Sequence, residues 1–236
     1  KVLSGRMPMA LFIPAGMDSA AEWRENNLCG RIAVDDVDMK TARCFHRDEE
    51  TADGFRTHGR IAYFKKDGTA AYTHSIVFEA DTRENTATIE STFRADGDIR
   101  VTAVEGLRMM VANDFFNGGE RVWEYPGGRR TLRFDIDAVQ PETETLTPVP
   151  LGAGWANIDG RLGVVNLLDQ DAVFTLRQSN RRNAQWGSLH FDALDCPAEW
   201  TGQRLFRRGD VILRTKFRLV GGDAARTREL AGQSAR

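Results

Sequence analysis

The 236-residue chain is predicted to be all-β, a large antiparallel two-sheet β-sandwich with short peripheral helices. Three observations predict it. Apolar residues recur with a period of two far more often than 3.6, as in strands that bury one face. Gly, Asp and Asn interrupt that alternation at the intervals of antiparallel strands. The length lies within the range that one β-sandwich reaches.

The elements follow in order. MALFIP is the first strand candidate, and the LSGRMPMALFIPAG stretch around it is too short, and too early broken by proline, for the roughly 20 residues of a membrane helix. Asp18-Ser19-Ala20-Ala21-Glu22-Trp23 opens a short helix, with Asp18 or Ser19 as N-cap. GRIAVDDV, GRIAYFKK, AAYTHSIVFEA and TATIESTFRA read as strands, and IRVTAVEGLRMMVA as one longer strand. Lys66-Asp67-Gly68-Thr69 and Ala95-Asp96-Gly97-Asp98 read as hairpin-type turns, where Gly supplies the positive φ of a tight turn. ERVWEY and RTLRFDIDAV come next. Gln140–Gly154 holds three of the seven prolines and reads as a long loop crossing between two sheets, so residues 1–236 form one domain with a sub-boundary at most at 140–154. WANIDGRLGVVNLL, AVFTLRQ, GSLHFDAL and DVILRTKFRLV complete the strands, with Arg208-Gly209-Asp210 as a hairpin turn before the last. Residues 222–236 form a polar C-terminal tail, read as a helix that frays or packs on a neighbouring domain.

Composition excludes several classes of function. A net charge of −2 with finely mixed signs points to neither nucleic acid nor a membrane as partner. Only five of the 32 Lys and Arg residues are Lys, a skew that fits a GC-rich genome or, alternatively, anion binding through guanidinium groups. Cys29, Cys44 and Cys196 share no CxxC spacing and read as reduced thiols, a Cys29–Cys44 bridge being the alternative in a secreted chain. The chain starts at Lys1 without a Met or a recognisable signal peptide, as a processed product or a piece of a longer polypeptide would. It reads as soluble, with cytoplasmic and secreted locations both open.

Catalytic signatures are sparse. GxSxG, GxxxxGK[ST] and GxGxxG are absent, so neither acyl transfer nor a nucleotide cofactor is expected, and no cofactor of another kind is implied. The histidines His46, His58, His74 and His190 are too far apart in sequence for a helical metal pair, and no metal is expected. His58 and His74 flank one predicted hairpin and are the candidates for acid–base work. Glycosidic chemistry needs two carboxylates about 5 to 10 Å apart, for which Asp114, Glu120, Glu124 and Asp159 are the first to inspect. Asp114 and Glu124 join the two histidines as catalytic candidates. Trp123, Trp155, Trp186 and Trp200 sit beside Asn, Arg or Glu, and flat indoles with nearby hydrogen-bonding groups suit sugar rings, though each Trp is equally a core filler. Trp123, Glu124, Trp155 and Arg161 are the ligand-binding candidates.

Residues 100–170 carry a resemblance. GLRMMVANDFFNGGERVWEY, followed by GWANIDGRLGVVNL, resembles the supersandwich domains of polysaccharide lyases and galactose-mutarotase-like proteins among bacterial carbohydrate-active enzymes. The likeness implies a two-layer antiparallel sandwich beside a catalytic domain in the same polypeptide. It also implies that Asn113, Asp114, Asn117, Asn157, Asp159 and Arg161 build turns. Three functions follow as expectations: an accessory, non-catalytic domain contacting oligo- or polysaccharide; a free-standing lyase, hydrolase or mutarotase-like epimerase using a His and a carboxylate on the sheet; or a β-sandwich protein-interaction module.

Overall fold

A computed structural model describes residues 31–34, 36–105, 107–112, 120–133, 145–150, 152, 154–168, 172–178, 186–193 and 199–234. They form sixteen strands and a helix: β1 Arg31–Val34, β2 Val37–Thr51, β3 Gly54–Lys65, β4 Ala70–Asp81, β5 Thr86–Ala95, β6 Ile99–Glu105, β7 Leu107–Ala112, β8 Glu120–Tyr125, β9 Gly128–Arg133, β10 Thr145–Pro150, β11 Trp155–Ile158, β12 Leu162–Asn166, β13 Ala172–Gln178, β14 Trp186–Ala193, β15 Glu199–Phe206, β16 Val211–Gly221 and α1 Ala224–Ser234. The nine-stranded sheet runs β2-β3-β4-β5-β16-β12-β11-β8-β9; two smaller sheets run β1-β6-β15 and β10-β13-β14-β7. The chain is an all-β sandwich, as its alternation predicts.

The core follows from register. Ile61 and Tyr63 of β3, Tyr72 of β4 and Phe93 of β5 share one face of the large sheet and pack on Val101 and Val104 of β6 and Phe206 of β15. Burying each such aromatic or branched side chain stabilises by roughly 1.5–3 kcal/mol. The β3–β4 hairpin closes at the expected turn: Gly68 has φ +84°, its N–H donates to the Lys65 carbonyl at 2.9 Å, and Asp67 Oδ1 accepts from the Thr69 N–H at 2.8 Å.

Several elements depart from the expected reading. Ala95–Asp98 and Arg208–Asp210 are not hairpins. Each is a corner where the chain changes sheet, from β5 to β6 and from β15 to β16. The two corners are tied together, with the Ala95 N–H donating to the Asp210 carbonyl at 2.9 Å and the Gly209 N–H to the Ala95 carbonyl at 2.8 Å. IRVTAVEGLRMMVA divides into β6 and β7, which belong to different sheets. Strand β10 lies inside the expected loop 140–154; among the described residues it is an edge strand pairing only with β13, where its prolines need donate to no second neighbour. β2 is the opposite case. As an edge strand with almost every side chain from Thr41 to Glu50 exposed, it has no apolar alternation to detect. MALFIP, the helix at Asp18, Cys29 and Cys196 lie outside the described residues, while Cys44 is exposed. Among the described residues no helix is long and apolar enough to cross a membrane.

Candidate functional site: the β11–β12 hairpin and its helix

The segment WANIDGRLG forms a hairpin seated beneath α1. Trp155 and Asn157 alternate onto one face of β11, the face away from the main core, opposite Val165 and Gly163 of β12. α1 covers that face. Trp155, Val165 and Val220 make a small cluster with Leu230 of the helix, and the Arg228 guanidinium lies 5.5 Å from the Trp155 ring centroid.

Polar contacts fix the helix in place. The Asn157 side chain, 1% exposed, donates to the Gly222 carbonyl at 3.0 Å and to Thr227 Oγ1 at 2.8 Å. The Thr227 hydroxyl in turn donates to the Asp223 carbonyl at 2.9 Å. Gly163 lets the helix approach, since a Cβ there would stand 2.0 Å from Thr227 Oγ1. At the hairpin tip Asp159 and Gly160 have φ of +51° and +62°. Asp159 Oδ1 accepts from the Val122 N–H at 2.6 Å, so one side chain both turns the hairpin and holds β8 beside it.

The ligand-binding candidates are thereby distributed. Trp123 is 0% exposed, paired with Ile158, and its ring belongs to the interior. Its neighbour Glu124 points to the other face and is exposed, opposite Asn157 and Arg129. Trp155 is 9% exposed, between the sheet and Arg228. Arg161 is exposed in the turn, which it closes, its N–H donating to the Ile158 carbonyl at 2.9 Å. Of the residues expected to build turns, Asp159 and Arg161 do so; Asn157 instead clamps the helix. Asn113, Asp114 and Asn117 lie outside the described residues, as do the side chains of Glu120, Trp186, Trp200 and His190.

The two candidate histidines do not meet. His74 pairs across from Phe93 and stands beside Ile61 on the core face, whereas His58, three residues before Ile61 in the same strand, points to the opposite face. The His74 ring stacks on Phe93 with centroids 3.9 Å apart, and its Nε2 lies 2.8 Å from Ser91 Oγ. Burial pushes its pKa down from 6.5 to about 3, so the imidazole is neutral. A histidine that sequence reasoning passed over has the carboxylate partner: His46 Nε2 lies 2.9 Å from Asp48 Oδ1, which also accepts from the Thr57 hydroxyl at 2.7 Å. The His-x-Asp spacing on one face of a strand was the available signal. Among the described residues no group of three His, Cys, Asp or Glu side chains is placed to hold a metal ion.

No family model and no curated relative matches the sequence. Solved structures match in fold. The GH36 α-galactosidase AgaA from Geobacillus stearothermophilus superposes with a TM-score of 0.51 at 10% identity, over 83% of this chain and 30% of that one. A variant of that enzyme in complex with stachyose also gives 0.51 at 10% identity, over 89% of this chain and 31% of that one. The fold is that of a β-sandwich domain of carbohydrate-active enzymes. A galactose mutarotase related enzyme from Lactobacillus acidophilus matches at 7% identity over 81% of this chain and 71% of that one, but its TM-score of 0.44 carries no weight in the assignment. The chain spans about 30% of the length of the α-galactosidase chains it matches.

Proposed function

We propose that this chain is an accessory, non-catalytic β-sandwich of a bacterial carbohydrate-active enzyme, supporting a catalytic domain and contacting oligo- or polysaccharide. The observation that carries the reading is the dispersal of the acid–base candidates among the described residues: His74 is 4% exposed in the core, His58 faces the other way, and Glu124 stands on a distant strand of the large sheet. Acid–base catalysis needs such groups within hydrogen-bond reach of one substrate. The likeness in fold to about 30% of larger α-galactosidase chains is in keeping with a supporting part.

The test is turnover by the purified chain. Chromogenic α- and β-glycosides and the mutarotation of α-galactose are expected to react at the buffer rate. A rate above buffer that His46→Ala or Asp48→Asn abolishes would overturn the proposal. It would favour the second reading, a free-standing lyase, hydrolase or epimerase, which rests on the exposed His46–Asp48 pair at 2.9 Å. Absence of both turnover and glycan binding would leave a protein-interaction module.

A further inference from the structure

Two neighbouring rows of side chains cross the outer face of the nine-stranded sheet with the same composition. One runs Arg43, Ala62, Thr73, Arg94 from β2 to β5. The next runs Arg60, Ser75, Thr92, Arg214 from β3 to β16. Each is arginine, two small residues, arginine, and neither contains a carboxylate. With strands about 4.8 Å apart, the arginines of a row stand roughly 14 Å apart across a floor of small side chains, of which Ser75 and Thr92 are half-buried, while Thr73 is buried and its hydroxyl donates to the Asp96 carboxylate. The result is a shallow cationic trough on a chain whose net charge is −2.

Its walls are exposed and oriented. All four arginines are exposed. Arg94 Nη1 donates to the Gly209 carbonyl at 2.9 Å, Arg214 Nε to Glu90 of the adjoining row at 2.9 Å, and the Arg43 guanidinium lies 5.3 Å from the Phe64 ring centroid. Phe45, opposite Arg60, is 58% exposed and adds an apolar surface at the rim.

We propose that this face binds an anionic polysaccharide, one bearing uronate carboxylates or sulfate esters, laid between the arginine walls. The inference rests on the proposed function and names a ligand class for it. Guanidinium groups pair bidentately with carboxylates and sulfates, and the Ser75 and Thr92 hydroxyls suit a hydroxylated ligand.

Affinity electrophoresis of the whole chain through gels carrying polygalacturonate, dextran sulfate or neutral galactomannan tests it. Both anionic polymers are expected to retard the chain, less so at high salt, while galactomannan does not. Arg43→Ala and Arg60→Ala, both at exposed positions, are each expected to weaken binding to polygalacturonate about tenfold, the size of one charge-assisted contact. Arg129→Ala on β9 is expected to change nothing. Equal retardation by galactomannan, no retardation at all, an equal loss in Arg129→Ala, or equally tight binding of duplex DNA would each overturn the inference. Retardation by galactomannan, an equal loss in Arg129→Ala or tight DNA binding leaves the accessory reading standing, whereas no retardation by any of the three polymers, joined to absence of turnover, sinks both in favour of a protein-interaction module. Turnover by the chain would sink the accessory reading and leave the electrophoresis result intact.

Discussion

The Asn157 amide nitrogen donates to Thr227 Oγ1 at 2.8 Å, joining the β11–β12 hairpin to α1 across a buried seam. The same nitrogen reaches the Gly222 carbonyl, so one side chain holds both the helix and the bend that leads into it. Asn157→Ala removes both bonds inside an interior that water does not reach. A loss of about 1–3 kcal/mol is expected, read as a lower urea midpoint with an unchanged slope.

Gly163 and Thr227 form a second coupled pair. Gly163→Ala places a methyl 2.0 Å from Thr227 Oγ1 and 2.9 Å from Thr227 Cβ, so the helix must lift. Overpacking of this kind costs roughly 1–3 kcal/mol. Thr227→Ala removes the nearest atoms, and the double variant is expected to lose less than the sum of the singles. Strict additivity in thermal melts would show that the two residues do not press on each other.

Asp159 combines φ +51° with the acceptor for the Val122 N–H. Asp159→Ala loses both advantages and is expected to cost about 1–3 kcal/mol, because a non-glycine residue without a polar side chain is strained there and a backbone donor loses its partner. Asp159→Gly relieves the strain alone and should lie between Ala and the native residue in chemical denaturation.

His74 predicts an acid-labile core. Its pKa is about 3 in the fold, against 6.5 when unfolded, so the unfolded chain takes up the proton first. The fold is therefore penalised progressively as pH falls from 6.5 towards 3, with a slope of roughly 1.4 kcal/mol per pH unit for one proton. His74→Gln keeps a donor for Ser91 without titrating. Its stability should fall less than the native protein's between neutral pH and pH 4; parallel pH profiles would refute the assignment.

Trp123 and Trp155 are expected to behave as structural residues. Trp123→Ala should cost about 3–5 kcal/mol, as large-to-small changes in a core do. If either Trp→Ala variant kept native stability but lost binding to an oligosaccharide, the ring would have to face solvent.

Legibility in the sequence followed burial. β3, β4 and β5 alternate because one face meets the core, and their residues declare it. β2 and β10 do not, since edge strands are free to carry charges or proline, and sheet corners such as Ala95–Asp98 look like hairpins because both need the same residues. The Trp-x-Asn-x-Asp motif was visible as a special segment, yet its purpose was not. Trp155, Asn157 and Gly163 are explained by a helix about 70 residues later in the chain, and no local pattern can announce a partner at that separation. The cationic rows were hidden for a similar reason: Arg43, Arg60, Arg94 and Arg214 become neighbours only through strand register.

The helix is also a cover. Trp155, Val165 and Val220 lie under Leu230, so proteolytic trimming at Gly222 would uncover an indole and two branched side chains on an otherwise charged surface. Clipped protein should then self-associate, so the helix that Asn157 and Thr227 hold down also keeps the molecules apart.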